Sequence, residues 1–241
     1  MGVAGVAYAT IIAQGVSAIL VIITLLTAKN CIKMIPSHLS IDKESLFKIA
    51  KIGFPAALQL SITAFSNVFV QSYINQFGED CMSGWTSYAK IDQFMFLPMQ
   101  SLAIAITTFV GQNLGCERVD RAKKGIKITT LMAVTSTVII LIPVMVFSDQ
   151  LVYFFNQNPE VIRYGGMLLR YISPFYILCC FNQIIAGALR GAGNSRAPMI
   201  IMLTSFVAFR QVYMFIMSNF ICNEIIPIAM GYPAGWFLPW P

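Results

Sequence analysis

Charge is what this sequence has least of. Asp, Glu, Lys and Arg make up 11% of its 241 residues, against about 25% in an ordinary soluble domain, which is too few to solvate a globule of this size. Histidine occurs once, at His38, so no histidine-built metal cluster can form. The six cysteines (Cys31, Cys81, Cys116, Cys179, Cys180 and Cys222) include no C-x-x-C pair. Cys179 and Cys180 are neighbours inside an apolar run, where cysteine behaves as a small hydrophobe. Neither a nucleophile–base pair nor a cofactor loop is present, so an enzyme reading has no support and no cofactor is expected. The basic residues are not interleaved with aromatics along one face, which excludes a nucleic-acid surface.

What the chain has is oil. Hydrophobic residues make up 57% of it, with a mean hydropathy of +0.73, and they fall in blocks long enough to cross a bilayer core of about 30 Å. Seven segments are expected, at about 3–27, 53–77, 84–112, 125–148, 164–189, 198–220 and 225–241. They are too long for strands and lack two-residue alternation. The fold class is therefore all-α, a polytopic membrane helix bundle. The net charge of +6 is a topology signal. Lys29, Lys33, Lys43, Lys48 and Lys51 share one loop region, Arg118, Arg121, Lys123, Lys124 and Lys127 another, and Arg190 and Arg196 a third. The alternate loops carry Glu79 and Asp80, then Asp149 and Glu160, then Glu224. Cytoplasmic loops retain Lys and Arg, so the first segment runs outside to inside. In the long basic linker, Ser40 to Lys51 reads as a short amphipathic helix lying on the membrane surface. Met1 opens directly into apolar sequence and the last segment stops before any cytoplasmic flank, so a fragment cut at both ends is expected.

A few polar residues sit inside the oil. Arg210 falls near the middle of the sixth segment, where a central Arg costs about 2.5–3.5 kcal/mol; it should face water or a carboxylate, and Asp92 is the natural partner. Asp92 itself reads either as an interfacial carboxylate paired with Lys90 or as an ion or substrate ligand in a cavity. Gln59, Thr63, Ser66, Asn67, Gln71 and Asn75 recur about every four residues and form one slanting stripe, read as the lining of a wet cavity. Met95 and Met99 share the face of Asp92; methionine suits pliable apolar sites, although it is equally ordinary filler against lipid.

The stretch GALRGAGNSRAPM (187–199) lies between two apolar runs. Gly187-x-x-x-Gly191 permits close helix approach, and without a Lys-Ser/Thr ending it is no phosphate loop. This stretch resembles a signature of the multidrug and toxic compound extrusion (MATE) transporters. FVGQNLGCERVDRAKKG (109–125), GFPAALQ (53–59) and GVAGVAYAT (2–10) are similar to three more of that family's motifs, in family order and at family spacing.

The resemblance implies two six-helix lobes, of which this chain holds the last helix of the N-terminal lobe (1–28), a cytoplasmic linker (29–51) and the C-terminal lobe with an incomplete last helix (52–241). It implies a bacterial inner-membrane antiporter that exports cationic or amphipathic drugs in exchange for H+ or Na+, with the bilayer and the other lobe as partners. The transport-pathway candidates are then Asp92, Arg210, Gln59, Thr63, Asn67, Gln71, Met95, Met99 and Asn182. Gly111, Gln112, Asn113, Gly115, Arg190, Gly191 and Gly193 are the motif turns. Some members carry essential acids in the seventh and tenth helices; the corresponding positions here are near Thr63 and Cys179, neither acidic. A lipid-linked saccharide flippase of similar architecture and a non-transporting membrane fragment are the rival readings.

Overall fold

The computed structural model describes residues 2–28, 34–35 and 40–237; His38, Cys31, Lys29 and Lys33 lie outside them. No strand occurs among the described residues. The helices are α1 (Gly2–Thr27), α2 (Lys43–Asn75), α3 (Glu79–Gly115), α4 (Val119–Val146), α5 (Ser148–Tyr153), α6 (Pro159–Ile172), α7 (Tyr176–Gly191), α8 (Arg196–Met202), α9 (Arg210–Ile216), α10 (Ile225–Ala229) and α11 (Gly231–Phe237). The chain divides into two compact units, Met1–Lys48 and Ile49–Pro241. In the first, α1 is long enough to span a bilayer and its large apolar side chains are exposed.

Among the described residues, six stretches are long and apolar enough to cross a membrane, ending with the α6–α7 pair (159–191) and the run 196–221. The seventh expected segment is two short helices over 225–237, below spanning length. The amphipathic surface helix expected over Ser40–Lys51 is instead the beginning of α2. Asp42 accepts a hydrogen bond from the Ser45 backbone N–H at 2.8 Å, which satisfies an orphan donor of the first turn and holds the carboxyl below its usual range. A Glu44–Lys48 pair then sits one turn on. Together they carry the helix ten residues beyond the apolar run.

Proline placement explains the break between α6 and α7. Pro174 has no N–H to continue the ladder, and α6 passes into α7 through a single 3-10 turn, Ser173–Phe175. Pro55, Pro98 and Pro143 are accommodated inside helices.

The core of the second unit is built along α3. Tyr88, Ile91, Met95, Met99, Ala103, Ile106 and Val110 recur at three- and four-residue steps, which puts them on one helix face. They pack with Leu168, Leu169, Ile172, Tyr176 and Ile184 from α6 and α7. Toward its C-terminal end α7 comes close to α3 because two of its residues lack a Cβ. A Cβ on Gly187 would stand 2.5 Å from the Ala103 carbonyl oxygen, and one on Gly191 would collide with the Thr107 carbonyl. The two glycines and the two carbonyls are each four residues apart, so the helices touch over one full turn. Thr107 Oγ1, which bonds its own helix at Ala103 O (2.7 Å), also lies 2.9 Å from Gly187 O across the contact.

Candidate functional site

The middle of the second unit holds two intramembrane charges, and they do not pair with each other. Immediately before Arg210 the chain is π-helical over Leu203–Phe209. Such a segment shifts the helical register, and here both Arg210 and its neighbour Gln211 reach α2. Arg210 Nη2 donates to Ser66 Oγ at 2.8 Å and to Asn67 Oδ1 at 3.0 Å. Gln211 Nε2 donates to Ser66 O at 3.0 Å and Ser66 Oγ at 2.8 Å. The guanidinium lies over the Tyr232 ring, 4.7 Å from its centroid. Arg210 is thus 4% exposed and held by neutral acceptors and an aromatic face, with its Nε unpartnered.

Asp92 stands apart from it. Thirteen residues along α3 from Glu79 place it about 20 Å from that helix end. Its partner is the Tyr88 hydroxyl, 3.4 Å from Oδ1, and Tyr88 in turn lies 3.1 Å from the Tyr176 hydroxyl. Lys90, the other expected partner, lies over the Phe155 ring at 5.3 Å. Ring contacts link the two charges: Tyr232 meets Trp85 at 5.7 Å between centroids, and Trp85 meets Tyr88 at 5.1 Å. Aromatic side chains therefore stand where a direct Asp92–Arg210 bridge was expected. Sequence reasoning missed Tyr88, Trp85, Tyr176 and Tyr232, since aromatics in an apolar run carry no periodic mark.

Toward the C-terminal ends of α3 and α7 lies a cleft of about 600 Å³ between α2, α3, α7 and the 196–209 stretch. Gln59, Thr63, Gln100, Thr107, Gln183 and Arg190 supply its polar wall. Gln59 Nε2 donates to Met202 Sδ at 2.6 Å, and Thr63 Oγ1 donates back to Gln59 O at 2.8 Å. Gln100 and Gln183 were not anticipated. Each is a single glutamine in an apolar run, and only helix packing shows that they meet.

The α2 stripe is thereby divided among three environments. Gln59 and Thr63 face the cleft, Ser66 and Asn67 hold Arg210, and Gln71 donates to Asn75 at 2.8 Å on an exposed face. Met95 and Met99 are in the packed core. Asn182 is buried and donates to Trp236 O at 2.9 Å, tying α7 to α11.

A sequence model of the MatE family matches residues 55–216. The chain belongs to the MatE family. The probable multidrug resistance protein YoeA of Bacillus subtilis is 26% identical over 98% of this chain and 52% of its own length. This MatE chain spans about half the length of the curated relatives it matches. A solved MOP superfamily transporter from Pyrococcus furiosus superposes with a TM-score of 0.90 at 19% identity, over 99% of this chain and 54% of that one. An outward-facing MATE family transporter gives 0.88 at 20% identity, with the same coverage. These likenesses establish the MATE transporter fold. The MatE family comprises multi-pass plasma-membrane transporters rather than enzymes.

The MatE motif residues occupy two helix ends. Gly193 takes φ +83° just after α7, the conformation glycine adopts without strain, and its N–H donates to Arg190 O at 3.0 Å. At the other end Gly111, Gln112, Asn113 and Gly115 stay helical. The left-handed residue of that turn is Glu117, φ 57°, and the Arg118 N–H closes it on Asn113 O at 2.8 Å. Of the two positions where the resemblance sets acids in some members, Thr63 faces the cleft and Cys179 is buried in the core.

Proposed function

We propose that this chain forms the C-terminal half of a secondary active transporter that exports drugs or organic cations in exchange for H+ or Na+. The observation that carries the reading is Asp92. It is a carboxylate deep in a spanning helix of a MatE chain, bonded to a tyrosine hydroxyl and paired with no cation among the described residues. An ionisable group at such depth is expensive to maintain and marks ion or proton pathways. H+ or Na+ supplies the neutralising charge, and exchange of that ion for substrate is the coupling step. The family relatives named for multidrug resistance support the substrate class. Movement of two lobes about a midplane site accounts for alternating access.

The test is efflux of a cationic dye such as ethidium from cells expressing the intact protein. Asp92→Asn is expected to abolish energised efflux while leaving membrane abundance unchanged. Loss of abundance with unaltered efflux per molecule would support a structural role instead.

A further inference from the structure

The cleft between α2, α3 and α7 carries a charge opposite to that suited to organic cations. Arg190 enters it from the last turn of α7, with Gln183 two turns earlier on the same helix and Gln100 on α3 opposite. Arg190, Gln183 and Gln100 make no side-chain hydrogen bond, ion pair or ring contact among the described residues. The cleft's remaining polar groups are largely spoken for: Gln59 on Met202, Thr63, Thr107 and Thr108 on carbonyls of their own helices. No Asp or Glu among the described residues lines it. Three unpartnered donor groups, one of them a guanidinium, therefore line a cleft walled elsewhere by Leu60, Ile104, Met202 and Phe206.

Among the described arginines of the second unit, Arg118 and Arg196 are exposed and without a side-chain partner, Arg121 lies over the Phe109 ring, and Arg190 is the one that is both half-buried and unpartnered. Arg163 pairs with Glu160, Arg170 with Asp149, and Arg210 with Ser66, Asn67 and Tyr232. Arg190 has none and is half-buried, and its position is set by the α3–α7 glycine contact rather than by a counter-charge. A guanidinium there presents a planar fork of donors suited to carboxylate or phosphate oxygens, and two amides beside it add neutral donors.

We infer that this cleft binds the anionic head of an amphiphile, a phosphate or carboxylate held by Arg190, Gln183 and Gln100, with its apolar body on Leu60, Ile104, Met202 and Phe206. A membrane lipid or a soluble amphiphilic anion has this chemistry. The inference concerns binding and does not depend on the transport reading.

The experiment is calorimetric titration of the intact protein in phosphatidylcholine nanodiscs with octyl phosphate and, separately, octylammonium, with empty nanodiscs subtracted. Octyl phosphate is expected to bind at least tenfold more tightly than octylammonium. Arg190→Gln is expected to weaken octyl phosphate by about 10–100-fold, the range for a hydrogen bond to a charged group. Gln183→Glu, which places a carboxylate in the cleft and leaves Arg190 in its turn, is expected to reverse the preference toward octylammonium, and it keeps the test decisive if Arg190→Gln does not fold. Addition of phosphatidylglycerol to the discs distinguishes the sources. Competition that is lost in Gln183→Glu identifies lipid as the occupant, and an unchanged octyl phosphate affinity identifies a soluble amphiphile. Equal affinity for the two probes, or octyl phosphate binding unaltered in a folded Arg190→Gln or Gln183→Glu protein, would overturn the inference. Dye efflux without octyl phosphate binding would do so too while leaving the transporter reading intact.

Discussion

Replacing Arg210 and removing its acceptors should have unequal costs, and the inequality tests how a central charge is held. Arg210→Met deletes two interhelical hydrogen bonds, each worth about 0.6 kcal/mol on average and up to about 1.7 in membrane proteins. It also deletes a cation–π contact of about 0.5–2 kcal/mol. The combined loss is roughly 2–5 kcal/mol, summed from those ranges. Against it stands relief of the insertion cost of a central Arg, about 2.5–3.5 kcal/mol. Arg210→Met should therefore lie within about 3 kcal/mol of wild type. Ser66→Ala with Asn67→Ala loses about 1–3 kcal/mol of hydrogen bonding and recovers none of the insertion cost, because the charge remains buried. Since Gln211 also donates to Ser66 Oγ, Gln211→Leu alone supplies the correction for that contact. Thermal unfolding of the intact protein in detergent, followed by size-exclusion chromatography, should give the order wild type, then Arg210→Met, then the double variant after correction. If Arg210→Met melts below the corrected double variant, the guanidinium is a net attractive group and this accounting fails.

Gly187→Leu should destabilise the protein by about 1–3 kcal/mol, the usual cost of overpacking, because its Cβ would stand 2.5 Å from Ala103 O; an unchanged melting temperature would mean that α3 and α7 slide apart freely. Tyr176→Phe removes the hydroxyl facing Tyr88 and should cost about 0.6–1.7 kcal/mol, measured by the same unfolding assay. Gln71→Ala, whose amide bonds only Asn75 on an exposed face, should change stability by less than about 0.5 kcal/mol and leave dye efflux unaltered.

The bundle and one close helix contact, that of α7 with α3, were legible from residue types alone. Long apolar runs must become helices where no water satisfies the backbone, and Gly187-x-x-x-Gly191 is a local pattern whose consequence, close approach, needs no knowledge of the partner. The sites were less legible because they depend on relative rotation of helices. The π-helical stretch Leu203–Phe209 turns Gln211 toward Ser66 together with Arg210, and no periodicity marks a shift of one residue. Asp92 and Arg210 looked complementary by depth, yet Trp85, Tyr88 and Tyr232 link them through rings. Gln100 and Gln183 lie more than eighty residues apart on different helices, and only their packing makes them neighbours of Arg190. The early start of α2 followed from local chemistry, Asp42 with Ser45 and Glu44 with Lys48, that a hydropathy boundary does not register.

The most direct test of ion-coupled export is dye movement in proteoliposomes of the intact protein under an imposed pH or Na+ gradient. The account predicts that one of the two gradients drives the dye against its own concentration gradient, and that Asp92→Asn removes this drive. Dye flux indifferent to both gradients, or fully gradient-driven in the Asp92→Asn protein, would contradict it.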